Sequence, residues 1–266
     1  MPSVYAHYRF GRDMIEQLPD TVRNQIAPYR ELFDIGLQGP DLLFFYRPFY
    51  RNYVNRLGSQ IHKWPGRKFF EPAARIIRNR RNRAAFTAYI CGMVCHYALD
   101  LTCHSYIYRI IEEKHLNHSA IEGSFERSLI VEDHLPLNTL VTGSLKVSRR
   151  NAAVIHQFYG RTTGKQILSA LRMMIWCNDA LRMKESNIIK RTIFFVLRLI
   201  GKYESIAGMV IPPQPKPEFA ESDTELRRRY ELAKPVALRL ISELLDCIEH
   251  GKRLGCGFLP TFSGAE

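Results

Sequence analysis

Residues 91–106 read CGMVCHYALDLTCHSY, and three polar side chains in this apolar run recur at one spacing. His96, Asp100 and His104 stand at i, i+4 and i+8. On a helix each step of four turns by about 40° and climbs about 6 Å, so the three share one face. That face would be buried among Met93, Val94, Tyr97, Leu99 and Ile107. Two readings compete. In the plainer one each polar group is a core residue satisfied by hydrogen bonds, the ordinary fate of a lone buried histidine. Three in register are harder to satisfy, and a cation removes the cost of burying imidazoles and a carboxylate together. The aspartate can bind an ion with either neighbour, or bridge two ions with its two oxygens.

Downstream, residues 116–127 read LNHSAIEGSFER and place His118 and Glu122 at i, i+4. Alone this pair is weak, because HxxxE arises often on surface helices. Taken with His104 it makes a geometric demand. A straight helix from 104 to 118 would hold the two imidazoles about 21 Å apart, beyond any shared ion. The chain must fold back within Ser105 to Asn117, and Lys114, His115 and Asn117 are the expected turn. Upstream, residues 33–48 (FDIGLQGPDLLFFYRP) place Asp41 after Gly39 and Pro40. Gly39 permits unusual backbone angles and Pro40 fixes its own, so Asp41 projects from an element start. The plainer reading of Asp41 is a helix N-cap. His7 and His62 carry no signal by themselves.

Helical periodicity recurs along the whole chain, while apolar/polar alternation and hairpin dipeptides do not, so the expected class is all-α. Helices are expected over Gly11 to Leu18, Asp20 to Ile35, Lys63 to Asn79, Arg83 to Leu101, Ser105 to Glu113 and Ser119 to Glu132. Further ones are expected over Asn151 to Phe158, Gly164 to Lys184, Asn187 to Lys202 and Ser222 to His250. The last has the clearest apolar row: Leu226, Tyr230, Ala233, Ala237, Leu240, Leu244 and Ile248. Before it, Ile211 to Pro217 (IPPQPKP) holds four prolines and reads as an extended connector wrapping one domain. A single domain over 1–266 is expected, with the polar constellation in 1–135 and packing helices over 148–250.

An apolar content of 46% is ample for a core, and a net charge of +12 favours anionic partners: phosphates, nucleic acid or an acidic membrane surface. The basic run from Lys63 to Arg83 reads first as a solvated face and second as a landing patch for such partners. Tyr46, Phe49, Tyr50 and Tyr53 near Asp41 could line a cleft, although aromatic residues at this spacing are more often core. The opening MPSVYAHYRF lacks the pattern of a secretory signal, and a cytoplasmic location is expected. The apolar stretch Ile188 to Ile200 is interrupted by Lys190, Arg191 and Arg198 and is too short to span a bilayer. Six cysteines form no CxxC pair and read mostly as small buried apolar residues.

In order, these residues resemble the pattern of the zinc-dependent phospholipase C family: His7, Asp41 within Gly-Pro-Asp, His62, His96 and Asp100, His104, then His118 and Glu122. The resemblance implies an all-helical fold holding two or three zinc ions. It assigns one ion to Asp41, His62, His96 and Asp100, a second to His104, His118 and Glu122, and a third to His7 with Asp100 bridging. Secreted members complete the third site with an N-terminal tryptophan, for which the comparable group here is the Pro2 amine after loss of Met1. Ser105 stands where relatives often have proline, and the spacing from Asp100 to His104 is slightly shorter than in secreted members. The implied activity is hydrolysis of a phospholipid phosphodiester by metal-activated water, with Asp41 as general base. The alternatives are a single-strand nuclease, which the basic charge suits, and a cytosolic zinc-binding protein without catalysis.

Overall fold

The computed structural model describes residues 4–182, 187–199 and 210–264. Among the described residues eleven α-helices follow one another: α1 (Val4–Gln17), α2 (Asp20–Ile26), α3 (Arg30–Gly36), α4 (Tyr53–His62), α5 (Gly66–Arg78), α6 (Arg83–Lys114), α7 (His118–Glu132), α8 (Arg149–Ile155), α9 (Gly164–Arg182), α10 (Ile188–Leu199) and α11 (Ala220–His250). A 3-10 turn, Gly39–Phe45, links α3 to the segment before α4. Among the described residues there is no strand, only an isolated antiparallel bridge between Pro65 and Thr261. The chain is all-α.

The axis of the fold is α6, 32 residues long and buried on nearly every side. By length and composition it could cross a membrane, yet 89% of its most apolar window is buried inside the protein. A helix apolar all round needs such a jacket, and α1, α2, α3, α5, α7 and α11 supply it. Asn82 caps its start, its side chain accepting from the Ala85 amide at 3.5 Å. Its end is set by His115, which takes the left-handed conformation (φ 54°) and donates its amide to the Ile111 carbonyl. Asn117 then caps α7, accepting from the Ala120 amide at 3.1 Å. The chain therefore folds back over 115–117.

Several boundaries differ from the sequence expectation for physical reasons. The expected break between Leu101 and Ser105 is absent: no Gly or Pro interrupts that stretch, and the Thr102 hydroxyl donates back to the Ala98 carbonyl at 2.7 Å. Helix α1 starts at Val4 rather than Gly11, because Gly11 is an interior residue whose missing side chain leaves room for Leu37. The expected helix from Asp20 to Ile35 is split by a 3-10 turn at Ala27–Tyr29, where Pro28 removes a backbone donor. Helix α4 was not expected at all. Its start is set by Asn52, which accepts from the Asn55 amide at 3.0 Å, and its Val54, Leu57 and Ile61 are buried.

Helix α11 buries all seven residues of its expected apolar row and packs on α6, α5, α7 and α1. Each large apolar side chain so buried contributes roughly 1.5–3 kcal/mol of transfer free energy. The Arg228–Glu225 pair on its outer face is screened by solvent and adds little beside this, so burial decides its seat. Of the expected connector Ile211 to Pro217, residues 211–216 are non-helical and Pro217 opens a 3-10 turn, Pro217–Phe219, and Arg127 Nε donates to the Pro212 carbonyl at 3.1 Å. One contiguous core runs from Val4 to Phe262. Residues 256–264 return to the centre, where Phe258 and Phe262 stack among Phe70 and Tyr97.

Asp223, in the first turn of α11, accepts from the Ser124 hydroxyl at 2.8 Å. Burial pushes its carboxyl up to about 6. A carboxyl raised in the folded state is most stabilising while protonated, so its contribution declines as pH rises from the ordinary value of 3.8 through about 6. Asp223→Asn, which keeps an acceptor for Ser124, is expected to raise stability by roughly 1 kcal/mol at pH 7.5 after allowing for solvent screening, and by less at pH 5. Thermal melts at the two pH values check this; equal gains at both would count against it.

Candidate metal centre

The eight residues singled out in the sequence converge. His7 comes from α1, Asp41 from the 3-10 turn, and His62 is the last residue of α4. His96, Asp100 and His104 come from α6, and His118 and Glu122 from the first turns of α7. All are buried except His62 and His118, which are partly exposed. They form three donor groups: His7, His96 and Asp100; Asp41, His62 and His96; His104, His118 and Glu122. Within each group one ligand atom per residue lies within 4.8 Å of the others. The fold-back at 115–117 brings the His104 and His118 rings to 5.5 Å, centroid to centroid.

Asp100 is the hub. Its Oδ1 faces His7 Nε2 at 3.3 Å, and its Oδ2 faces His96 Nε2 at 3.2 Å and His104 Nδ1 at 3.6 Å. The other ring nitrogen of His104 faces Glu122 Oε1 at 3.4 Å, and His118 Nε2 lies 3.0 Å from the same oxygen. Across the site, His62 Nε2 lies 3.0 Å from Asp41 Oδ1.

Backbone carbonyls fix which nitrogen of two rings looks inward. A carbonyl only accepts, so His96 Nδ1 donates to Leu37 O at 3.1 Å and His62 Nδ1 donates to Gly58 O at 2.8 Å. In the neutral rings both Nε2 atoms then carry bare lone pairs aimed at carboxylate oxygens. Two lone pairs face each other across 3.0–3.2 Å only if a proton or a cation stands between them. His7 Nδ1, His96 Nε2 and His104 Nδ1 are moreover buried without a well-formed hydrogen bond. A divalent cation suits this set: bare imidazole nitrogens, ionised carboxylates, and ring orientations held from behind.

The electrostatics agree. Burial pushes Asp100 up, yet the charges of His104 and His96 and the hydrogen bond from His7 hold it well below the carboxylate range. Glu122 is likewise held well below, burial being overcome in part by His104 and His118. Asp41 is lowered against burial with help from His62 and His96. His62 and His104 are raised by their carboxylate partners in spite of burial. His7 is lowered, first by burial and then by His96, whose ring stacks on it at 4.3 Å. The acids of the cluster are thus ionised and protons are kept off His7, as a metal needs, while His62 and His104 hold protons that a metal would displace.

Local structure explains the placement of Asp41. Gly39 has φ +55°, and a Cβ there would meet His96 Cδ2 at 2.2 Å, so only glycine lets this turn lie on the imidazole. Asp41 lies inside the 3-10 turn, whose N-cap position is Gln38, so Asp41 is not the N-cap residue. Phe44, Phe262 and the Ser263 hydroxyl, which donates to His62 O at 3.2 Å, pack around His62. Glu126 anchors the His7 helix: it accepts from the Tyr5 amide at 2.9 Å and from Arg182 at 2.7 Å. These supports were missed in the sequence, where Glu126 lies four residues beyond Glu122 but carries no motif. The Cys91, Cys95 and Cys103 thiols are buried and stand in none of the donor groups, and burial pushes Cys91 up to about 12. Phe49, Tyr50 and Tyr53 are exposed rather than core. Pro2 lies outside the described residues.

The family model for zinc-dependent phospholipase C matches residues 6–173, well over half of the chain and all eight donors. The chain belongs to this family. Neither the curated proteins nor the solved structures compared with it gave a match. Membership of the zinc-dependent phospholipase C family accords with the strand-free helical fold and with zinc as the ion the donor groups would take. The matched region ends within α9, so α10 and α11 lie beyond it.

Proposed function

We propose that this member of the zinc-dependent phospholipase C family hydrolyses a phospholipid phosphodiester, releasing the phosphorylated head group from diacylglycerol. The observation that supports it most is the facing of bare imidazole nitrogens and carboxylate oxygens around Asp100 and Asp41. Asp41, His62, His96 and Asp100 would hold one zinc ion; His104, His118 and Glu122 a second; His7 with Asp100 a third. When bound, zinc supplies a water acidic enough to ionise near neutral pH and positive charge for the phosphate oxygens.

The remaining work falls to the chain. Asp41, lowered below the ordinary carboxylate range, is ionised at neutral pH and can orient a water and take its proton. His62 holds that carboxylate from one side and is itself held by Gly58 O at 2.8 Å. Asp41→Asn is expected to keep most of the zinc and lose turnover by about a hundredfold or more. Metal analysis beside steady-state kinetics tests it, and wild-type turnover would remove Asp41 from the role.

The whole reading is tested by assaying purified protein on a short-chain phosphatidylcholine and on single-stranded DNA, with and without chelator. Chelator-sensitive release of phosphocholine is the expected result. Cleavage of DNA alone would make the chain a nuclease, and zinc retained with neither reaction would make it a binding protein.

A further inference from the structure

Among the described side chains of α10, four apolar ones face outward. Ile188, Phe195, Val196 and Leu199 are 71%, 61%, 46% and 70% exposed. At 3.6 residues per turn Ile188, Phe195 and Leu199 fall within about 40° of one another, with Val196 bordering the stripe on one side. Arg191, exposed, borders it on the other. No acidic residue occurs in the helix. Single exposed apolar residues are ordinary on a protein surface, whereas a row of them on one helical face marks a surface that something else covers.

We propose that this face seats the protein on a bilayer containing anionic phospholipid. The proposal rests on the phospholipid reading above, since a substrate embedded in a bilayer must be reached at its surface. Charge selects the occupant. A second copy of α10 would meet the stripe with its own Arg191, bringing like charges together, and the chain as a whole carries +12. An anionic bilayer offers acyl chains for the stripe and negative head groups for Arg191 in one surface. The length also fits: 12 residues with Arg191 along one edge lie in the plane of an interface and do not span it. The seat is linked to the metal centre through packing, because α10 rests on α9 and α9 rests on the 3-10 turn that carries Asp41.

The test uses the full chain in vesicle flotation, with phosphatidylcholine alone and with about one third phosphatidylserine added. Wild type is expected to float with the anionic vesicles at least about tenfold better than with the neutral ones, and less well in high salt. F195E/L199E, and the milder F195S/L199S, should lose about tenfold or more of that partitioning. Both should melt as wild type does and hydrolyse a monomeric short-chain phospholipid at the wild-type rate. Arg191→Glu should abolish much of the preference for anionic vesicles. Flotation of F195E/L199E equal to wild type overturns the proposal. So does a wild-type dimer that ignores vesicles and dissociates in the double variant, which would make the stripe a self-contact. Normal flotation with no hydrolysis of any lipid supports the seat while removing the proposed reaction.

Discussion

Asp100→Asn is expected to strip the protein of at least one zinc ion and to lower kcat/KM on the order of a thousandfold. Asparagine keeps the shape of the side chain but has one acceptor oxygen and no charge. In the native chain Oδ1 serves His7 while Oδ2 serves both His96 and His104, so the substitution reaches all three imidazoles at once. The amide nitrogen must also face a bare histidine nitrogen or a cation, and only the first is tolerable. The metal-free protein should change too. Asp100 and Glu122 are held well below the ordinary range by their histidines. Stability from such depressed carboxyls is fully present above their unfolded pKa and is lost as pH falls through the folded one. Acid unfolding of the metal-free form should therefore be less pH-dependent in the variant. Elemental analysis, steady-state kinetics and acid titration read the three effects. A variant with full zinc and ordinary turnover would take Asp100 out of the centre of the site.

The second large effect is expected at Gly92. A Cβ there would lie 2.1 Å from the Phe33 carbonyl oxygen and 3.0 Å from the Leu37 amide, and its counterpart at Gly36 would lie 2.2 Å from the Tyr89 carbonyl oxygen. Both obstacles are backbone, so no side chain can turn aside. Helix α3 would have to lift off α6. Gly92→Ala should cost about 3 kcal/mol and lower the melting temperature by roughly 10 °C. The damage continues into the metal centre, because Leu37 O holds His96 from behind and Gly39 lies against the same ring. Zinc content should fall with stability. Gly143→Ala is the control: its Cβ would meet only the Leu140 carbonyl oxygen at 3.8 Å. Equal melting of the two variants would refute the close-contact account.

What the sequence made legible follows from how far each signal reaches along the chain. The face shared by His96, Asp100 and His104 is local geometry, and it survives intact in α6. The fold-back before His118 was legible because two imidazoles that must meet cannot be joined by a straight helix, and His115 and Asn117 do set that turn. His7 and His62 had no local signal, and they became candidates only through the ordered resemblance. Their seats depend on distant partners: Glu126 and Arg182 steady α1, and Phe262 and Ser263 pack at the end of α4. Helix α4 was missed because its apolar row, Val54, Leu57 and Ile61, is only two turns long and follows an aromatic, arginine-rich run whose cap is an asparagine. The break expected after Leu101 does not occur, because no Gly or Pro interrupts 101–105 and one continuous helix keeps His96, Asp100 and His104 on a common face.

The short connector at 115–117 also divides the metal centre by sequence distance. His104, His118 and Glu122 belong to a helical hairpin, and closing it needs only the one local turn. His7 must reach Asp100 across nearly the first hundred residues, and Asp41 and His62 must dock onto α6 from separate segments. Contacts between near neighbours form sooner than those that close long loops. A nascent chain would therefore hold a grasping pair of helices, with His104, His118 and Glu122 already together, while the distant donors were still unplaced.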